Sequence, residues 1–321
     1  MTVPTNLYQK ASLRGNREDL LDKIFQTSPT LTPVVTSAGR TTATTDFHEW
    51  QRNSLSAANA ANKMIDGEDA TAQAIVPTER VGNHLQIFNG TIGVSRRANI
   101  VKKAGRGMEL KYLRGNKMLE IKRDIEAMAL SAQVAIAATT SVAGQSGGLG
   151  VQCYLNTSHG GAGATAAWTS GAPTVAVTAG TNRTLTRALL DTVCQSIYGA
   201  SGAFAEMVVV SPSHKVIFST FTSIAQNRYE VKGKQQGVVV GGADVYLSDF
   251  GALSIVPHYL LTGATNAYVL NSDYIDMAFL DGFVESDLAK TGDSEKILIT
   301  ADCALAVRAS SAQGKIADLT P

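Results

Sequence analysis

The longest run of regularly spaced apolar residues lies in the middle of the chain, over residues 107–138. Apolar side chains recur there at the three- and four-residue steps that mark one face of an α-helix, and they are Met118, Ile121, Ile125, Met128, Ala132 and Ile136. Lys122 and Glu126 stand one turn apart, where they can form a weak ion pair. The pattern predicts one helix over 107–138, on the order of 45 Å long at about 1.5 Å per residue. Such a helix suits a flat subunit with a central spine.

The second half of the chain predicts shorter helices and many strands. A helix is expected over 184–198, capped by Thr184, and another begins at 211–213, where Ser213 or Ser211 supplies the capping oxygen. The apolar run at 205–210 predicts a buried strand. Further strands are expected at 237–240, 245–247, 253–256, 267–270, 277–279, 295–300 and 304–308. The predicted fold class is α+β, with helices in the middle and strands enriched late.

The first part of the chain has little apolar content. Residues 1–15 are polar and predict an extended arm, and a short helix is expected from Asn16 to about residue 28. Strand-like patterns around residues 41–50 and 81–94 enclose a polar stretch rich in alanine and asparagine. Together, residues 39–95 predict an extended two-stranded loop that projects from a body. Because such an excursion cannot fold alone, we expect a partner to cover it.

The composition is that of a globular protein with few charges. Hydrophobic residues make up 44% of the 321 residues, whereas charged residues make up only 17%, which suggests that other copies cover much of the surface. Three widely spaced cysteines, Cys153, Cys194 and Cys303, fit buried thiols in a reducing, intracellular setting. No signal peptide or membrane-spanning segment is predicted.

Positive charge is concentrated in one stripe, although the net charge is only +1. Residues 96–126 hold ten lysines and arginines against four acids. The stripe is either a solvated helix face or a site of ion pairing between subunits, or it contacts nucleic-acid phosphates without reading sequence. The candidate DNA-facing residues are Arg96, Arg97, Lys102, Lys103, Arg106, Lys111, Arg114 and Lys117.

The residues that could carry chemistry do not form a catalytic, cofactor-binding or metal-binding pattern. The five histidines lack metal-ligand spacing, and Ser211 with His214 is better explained by helix capping than by nucleophilic catalysis. The glycine-rich run at 144–150 lacks the lysine of a phosphate-binding loop and predicts a flexible loop within residues 139–182. An acidic turn at Asp66-Gly67-Glu68-Asp69 is expected to be solvated or to pair with basic residues of a neighbour.

A series of short motifs resembles the major capsid proteins of tailed bacteriophages with the Hong Kong 97-type fold. The motifs include residues 17–21 (REDLL), 48–51 (HEWQ), 77–83 (PTERVGN), 103–106 (KAGR), 122–126 (KRDIE) and 291–296 (TGDSEK). The resemblance covers nearly the whole chain, because the order and spacing of these motifs match as well as the motifs themselves.

The resemblance implies a domain map and an assembly. Residues 1–38 correspond to an N-terminal arm, 39–95 to an extended β-hairpin called the E-loop, 96–183 and 291–321 to a peripheral domain with the spine helix, and 184–290 to an axial domain. Family members form hexamers and pentamers that close an icosahedral head around double-stranded DNA, in the virion, after assembly in the host cytoplasm. Portal and scaffolding proteins are the other implied partners, a decoration protein on 139–182 is left open, and no cofactor or membrane is implied.

On this map, the candidate subunit-interface residues are His48, Glu49, Trp50, Asp66, Glu68, Asp69, Leu85 and Phe88. Trp50, Leu85 and Phe88 are expected to bury more surface in the shell than in one subunit. The alternatives are an encapsulin-like compartment, an enzyme that uses the glycine-rich residues 144–163, and a tail-tube or decoration protein. The predicted spine helix argues against the last of these.

Overall fold

The computed structural model describes residue 14, residue 19, and residues 21–69, 71–221 and 245–321. Its helices are α1 (Pro33–Ser37), α2 (Arg96–Ile100), α3 (Glu109–Leu130), α4 (Leu149–Gln152), α5 (Arg187–Ser201) and α6 (Pro212–Ser219). Its strands are β1 (Gly39–Thr42), β2 (Phe47–Arg52), β3 (Glu79–His84), β4 (Gln86–Ser95), β5 (Asn156–Ser158), β6 (Ala167–Thr169), β7 (Ala172–Val175), β8 (Met207–Val210), β9 (Val245–Ser248), β10 (Gly251–Pro257), β11 (Ala267–Leu270), β12 (Ile275–Asp287), β13 (Ser294–Val307) and β14 (Gly314–Ile316). The fold therefore mixes helices and sheets, as predicted.

The spine helix is α3, and it is shorter than the sequence predicts. It ends at Leu130 instead of residue 138, because the backbone of Ser131 turns to an extended conformation. The Ser131 hydroxyl donates to the carbonyl of Met128, and the amide of Gly150 donates to the carbonyl of Ser131. The glycine-rich segment thus meets the helix end and redirects the chain. Ala132 and Ile136, which continued the apolar spacing, lie outside the helix.

One face of α3 packs on a four-stranded sheet with the order β1-β12-β13-β4. Strands β12, β13 and β4 are antiparallel neighbours, and β1 lies parallel to β12. The buried helix residues Ile121, Ile125 and Met128 belong to the same core as Ile299 and Leu305 of β13. The sequence predicted two strands where β13 is continuous.

The second core lies on a six-stranded sheet with the order β5-β14-β11-β8-β10-β9. Helix α5 packs here through Leu190, Val193 and Ile197. It begins at Arg187, so Thr184 is not its cap. It ends at Ser201, and the φ of 66° at the following Gly202 suits glycine. Helix α6 begins as predicted, with the Ser211 side chain accepting from the amide of His214.

Two predicted elements fall wholly or partly outside the described residues. The strand at 237–240 lies there, and so does the start of the helix predicted from Asn16. The described part of that second segment, residues 21–28, is not helical.

The glycine-rich region is packed instead of flexible. Ser146 and Gln152 are fully buried, and residues 147–151 between them are also buried. The side-chain amide of Asn83 donates to Ser146 Oγ, to the Gly147 carbonyl and to the Leu305 carbonyl, at 3.0, 3.0 and 2.7 Å. Gln152 also donates to the Gly147 and Leu305 carbonyls. Small residues are needed here because the backbones approach closely: a Cβ on Gly148 would lie 2.3 Å from the Ser131 carbonyl oxygen.

Candidate functional site

The projecting hairpin consists of β2 and β3 with the residues between them. It covers residues 47–84 and is shorter than the predicted 39–95. The two strands pair antiparallel from Phe47 opposite His84 to Arg52 opposite Glu79, and residues 53–78 between them contain no helix or strand among the residues described. Strands β1 and β4, at the ends of the predicted excursion, belong to the four-stranded sheet. Only the middle of the predicted E-loop therefore leaves the body.

Three of the predicted interface residues lie together on β2. The side chains of His48, Glu49 and Trp50 are partly buried, and Glu49 forms an ion pair with Arg80 on β3. Trp50 meets Trp168 of β6 edge-on, with ring centroids 6.4 Å apart. Burial lowers the pKa of His48, with Asp276 acting in the opposite direction, so its ring favours the neutral form. The β2 residues thus partly contact their own chain.

Arg52, which was not among the residues predicted from the sequence, ties the far end of the β2–β3 ladder to the body. The guanidinium carbon of Arg52 lies 5.0 Å from the ring centroid of Trp168. Its Nη2 lies 3.2 Å from a Glu79 carboxylate oxygen and 3.3 Å from the Tyr154 hydroxyl. Arg52 thereby combines an ion pair, a hydrogen bond and a cation–π contact. The only sequence signal was the presence of Tyr154 and Trp168 in a region of small residues.

The tip of the hairpin is exposed and has a defined shape. Residues 65–68 form a turn in which the Glu68 amide donates to the Ile65 carbonyl, and a Glu68 carboxylate oxygen accepts from the Ile65 amide at 3.1 Å. Gly67 supplies the positive φ of 82° that the turn needs. The predicted interface residues Asp66, Glu68 and Asp69 are all exposed here. Large apolar side chains are also exposed on the hairpin: Leu55 (89%), Ile65 (74%) and Ile75 (90%).

The other two predicted interface residues lie in the body. Leu85 is 5% exposed and packs with Ala43, Ala278 and Ala304, whereas Phe88 is 8% exposed and belongs to the core beneath α3. Such burial within one chain leaves these side chains little surface to bring to a neighbour. Leu85 and Phe88 therefore cannot gain much burial in the shell, contrary to the expectation from the sequence.

Five of the eight predicted DNA-facing cations already face carboxylates of their own chain. Glu109 lies between Lys103 and Arg106, with Nζ–O and Nε–O distances of 3.4 and 2.7 Å. Burial alone would raise the pKa of Glu109, but these two cations lower it. Arg96 pairs with Asp293, Arg114 with Glu285 and Lys117 with Glu120.

Three of the predicted DNA-facing residues remain, namely Arg97, Lys102 and Lys111. All three are exposed, and none forms an ion pair within the residues described.

A buried glutamate joins three parts of the fold at the base of the spine helix. Glu126 Oε1 accepts from the Val34 amide at 2.9 Å and from His258 Nε2 at 3.0 Å, and Oε2 accepts from the Val35 amide at 2.8 Å. His258 Nδ1 accepts from the Leu260 amide, so the ring hydrogen lies on Nε2. The helical spacing predicted an ion pair between Glu126 and Lys122, but Glu126 does not form it because its side chain points into the core and is 0% exposed.

The Ser211 and His214 side chains converge, which the sequence analysis did not expect. Ser211 Oγ lies 2.7 Å from His214 Nδ1, and His214 Nε2 lies 3.0 Å from the carbonyl oxygen of Thr320. Both residues are 0% exposed, so a substrate has no access to the hydroxyl. The pair caps α6 and ties it to the C-terminal segment.

The remaining titratable groups of interest are buried and structural. Burial raises the pKa of each thiol, Cys153, Cys194 and Cys303, to about 12. Asp318 accepts from the amides of Gly180 and Gly160 at 2.8 and 2.9 Å. Among the residues described, no group of three or more His, Cys, Asp or Glu side chains is arranged to hold a metal ion, and no helix is long and apolar enough to span a membrane.

Comparison with known proteins identifies the family. The family model for the SU10 major capsid protein matches residues 4–320. The major capsid protein of Escherichia phage Phieco32 is 32% identical over 133 residues, which cover 41% of this chain and only 38% of that protein.

Solved structures with the same fold come from phage capsids. A chain of the cyanophage A-1(L) capsid aligns with a TM-score of 0.66 at 12% identity, covering 99% of this chain and 100% of that one. A capsid chain of Myoviridae phage XM1 aligns with a TM-score of 0.56 at 12% identity, covering 98% and 100%. The fold is the Hong Kong 97-type capsid fold, and the chain belongs to the SU10 major capsid protein family.

Proposed function

We propose that this chain assembles with other copies of itself as hexamers and pentamers, which close an icosahedral head around double-stranded DNA. The observation that carries the proposal is the hairpin, whose root is fixed to the body while its apolar side chains are exposed. Burying Leu55, Ile65 and Ile75 against a neighbour would contribute about 1.5–3 kcal/mol each. An isolated subunit gains none of this free energy.

The proposed map follows the family resemblance, with the boundaries adjusted to the strands. Residues 1–38 are the N-terminal arm, residues 47–84 are the projecting part of the E-loop, and residues 184–274 are the axial domain, whose six-stranded sheet also includes β5 and β14. The rest of 96–183 and 275–321 forms the peripheral domain, to which we add the strands β1 and β4, because β12 and β13 share a sheet with them. The interface residues of the E-loop are then those of β2 and the acidic tip, without Leu85 and Phe88.

Contact with the packaged DNA is proposed to be non-specific and limited. Lys111 is exposed on α3, whereas Arg114 and Lys117 beside it are held by Glu285 and Glu120. A cation that already faces a carboxylate neutralises less phosphate charge, so the stripe supplies fewer contacts than its ten basic residues suggest.

The family membership favours a phage head over an encapsulin-like compartment, and a structural protein is consistent with a non-enzymatic role. The alternative of an enzyme that uses residues 144–163 gains no support, because the Gly147 carbonyl and the Gln152 side chain are held in buried hydrogen bonds. Assembly in the host cytoplasm with separate portal and scaffolding proteins completes the proposal.

Electron microscopy of the expressed chain, alone and with a co-expressed scaffolding protein, tests the assembly. We expect closed shells from the wild type and none from the triple variant L55D/I65D/I75D, whose exposed substitutions leave the subunit folded by circular dichroism. The matched control S54D/N62D/Q73D adds the same charge to the same hairpin without removing apolar surface, and should assemble. A stable wild-type monomer with scaffold present, or shells from the triple variant, would contradict the proposal.

A further inference from the structure

A second surface of the subunit is complementary to the hairpin tip. It carries the opposite charge and, like the tip, exposes large apolar side chains. It is the basic loop, defined here as residues 97–102, which includes most of α2 and follows β4. Arg97 and Lys102 are exposed and unpaired with described acids, and Ile100 and Val101 between them are 68% and 53% exposed. The loop therefore presents two cations and two large apolar side chains together.

The hairpin tip, residues 64–69, presents the opposite charge in the same arrangement. Met64 and Ile65 are exposed beside Asp66 and Asp69. The turn is already shaped by the hydrogen bonds of Glu68, so docking it would cost less conformational entropy than ordering a free loop. The two surfaces could therefore bury apolar side chains against each other while their opposite charges pair.

The length of strand β4 separates the root of the hairpin from the basic loop. Strand β4 begins at Gln86, two residues after the root of the hairpin at His84, and ends at Ser95, next to the basic loop. Ten residues of strand span roughly 33 Å. No hydrogen bond or ion pair joins the two surfaces among the residues described of a single copy. A contact between unlike ends of identical subunits is heterologous, the kind that closes rings.

We propose that the hairpin tip of one copy docks on the basic loop of a second copy, with Ile65 against Ile100 and Val101 and the tip carboxylates near Arg97 and Lys102. This rests on the proposed assembly and names the surface that receives the E-loop. It also reassigns Arg97 and Lys102, which the sequence suggested as DNA-facing. Protein–DNA interfaces are polar and strongly basic, so the exposed Ile100 and Val101 fit a protein partner better than a phosphate backbone.

Disulfide crosslinking between two variants tests the contact. Shells are assembled from a mixture of Ile65→Cys and Val101→Cys subunits and oxidised, and we expect a dimer band that neither variant gives alone. The native thiols do not interfere, because all three are buried. A mixture of Ile65→Cys with Leu247→Cys is the control, since Leu247 is also exposed but lies on β9, away from the basic loop in the sequence. Shells without an Ile65–Val101 crosslink would overturn the contact but leave the assembly intact.

Charge reversal gives a second, independent readout. D66K/D69K and R97E/K102E should each lower the yield of shells by at least about tenfold, and combining them should restore most of it, because opposite charges again face each other. If R97E/K102E instead assembles normally and only packages less DNA, the loop contacts nucleic acid and the proposal is wrong. Failure of the wild type to assemble would overturn the proposed function together with this contact.

Discussion

Replacing Glu126 by alanine should loosen the N-terminal segment from the spine helix. The carboxylate accepts three hydrogen bonds, two buried ones from the Val34 amide and His258 Nε2 and a part-buried one from the Val35 amide. Removing it leaves these three donors without an acceptor. Each such donor costs about 1–3 kcal/mol, less what an entering water recovers. We therefore expect a loss of about 4 kcal/mol in the free energy of unfolding.

Hydrogen exchange of the unassembled subunit measures this loss where it arises. The amides of α1 should lose roughly a thousandfold of their protection in E126A, because about 1.4 kcal/mol corresponds to a factor of ten. Urea unfolding of the same samples gives the global change. The stability of Glu126→Gln should fall between that of the wild type and that of E126A, because the amide keeps one acceptor but turns an N–H group toward another donor.

The control for this experiment lies on the same helix. Glu120 pairs with Lys117 at the surface, so Glu120→Ala should cost only a few tenths of a kcal/mol. If E126A and E120A lose the same stability, or if α1 keeps its protection in E126A, the interpretation of Glu126 as the anchor of this segment is wrong.

Three further predictions concern buried groups elsewhere. Burial alone would raise the pKa of Asp318, but the Gly180 and Gly160 amides and His159 lower it, so its stabilising effect is present above about pH 4 and is lost as the pH falls through the lowered folded-state pKa. Asp318→Asn should therefore cost about 1–2 kcal/mol in urea unfolding at pH 7, and the cost should shrink as the pH is lowered through the folded-state pKa of Asp318. The three thiols should stay unlabelled by a thiol reagent in the folded protein and react fully in urea, since burial keeps them protonated; labelling of the folded protein at the rate of a free thiol would contradict this. Arg52→Lys should speed amide exchange in β2 and β3 several-fold, because an ammonium cannot stack on Trp168 and bridge Glu79 in one geometry, whereas Arg80→Lys should not, because the ion pair of Arg80 with Glu49 is exposed.

The sequence predicted the elements well where apolar spacing decides the structure, and less well where distant backbone contacts do. Strand β11 lies at its predicted position, and the spine helix is present because Ile121, Ile125 and Met128 must face a core. The end of that helix depends on Gly148, whose backbone packs on Ser131 only after the chain has folded back. Helical spacing carries no information about that contact.

The functional surfaces show the same division. The acidic tip was predictable because three carboxylates and a glycine lie within four residues of sequence. Leu85 and Phe88 were misplaced because alternating apolar residues predict a strand but not the sheet that receives it. Two counterions of the basic stripe, Asp293 and Glu285, could not be predicted because they lie far along the chain from the cations that they pair with.

The arrangement of fixed and exposed parts explains how one hairpin could serve every neighbour in a closed shell. Hexamers and pentamers present slightly different angles, so a contact must adapt at one point and hold at another. The root holds, because Asn83 at the end of β3 is bonded to the Ser146 hydroxyl and to the backbone of two distant segments, with no polar group left to water. A buried network of this kind resists displacement, since moving any member leaves a partner unsatisfied. Beyond the β2–β3 ladder, residues 53–63 and 71–78 are exposed and have no such network among the residues described, so they can change their path at little cost. A load applied at the tip would then bend the hairpin and leave the sheet unchanged.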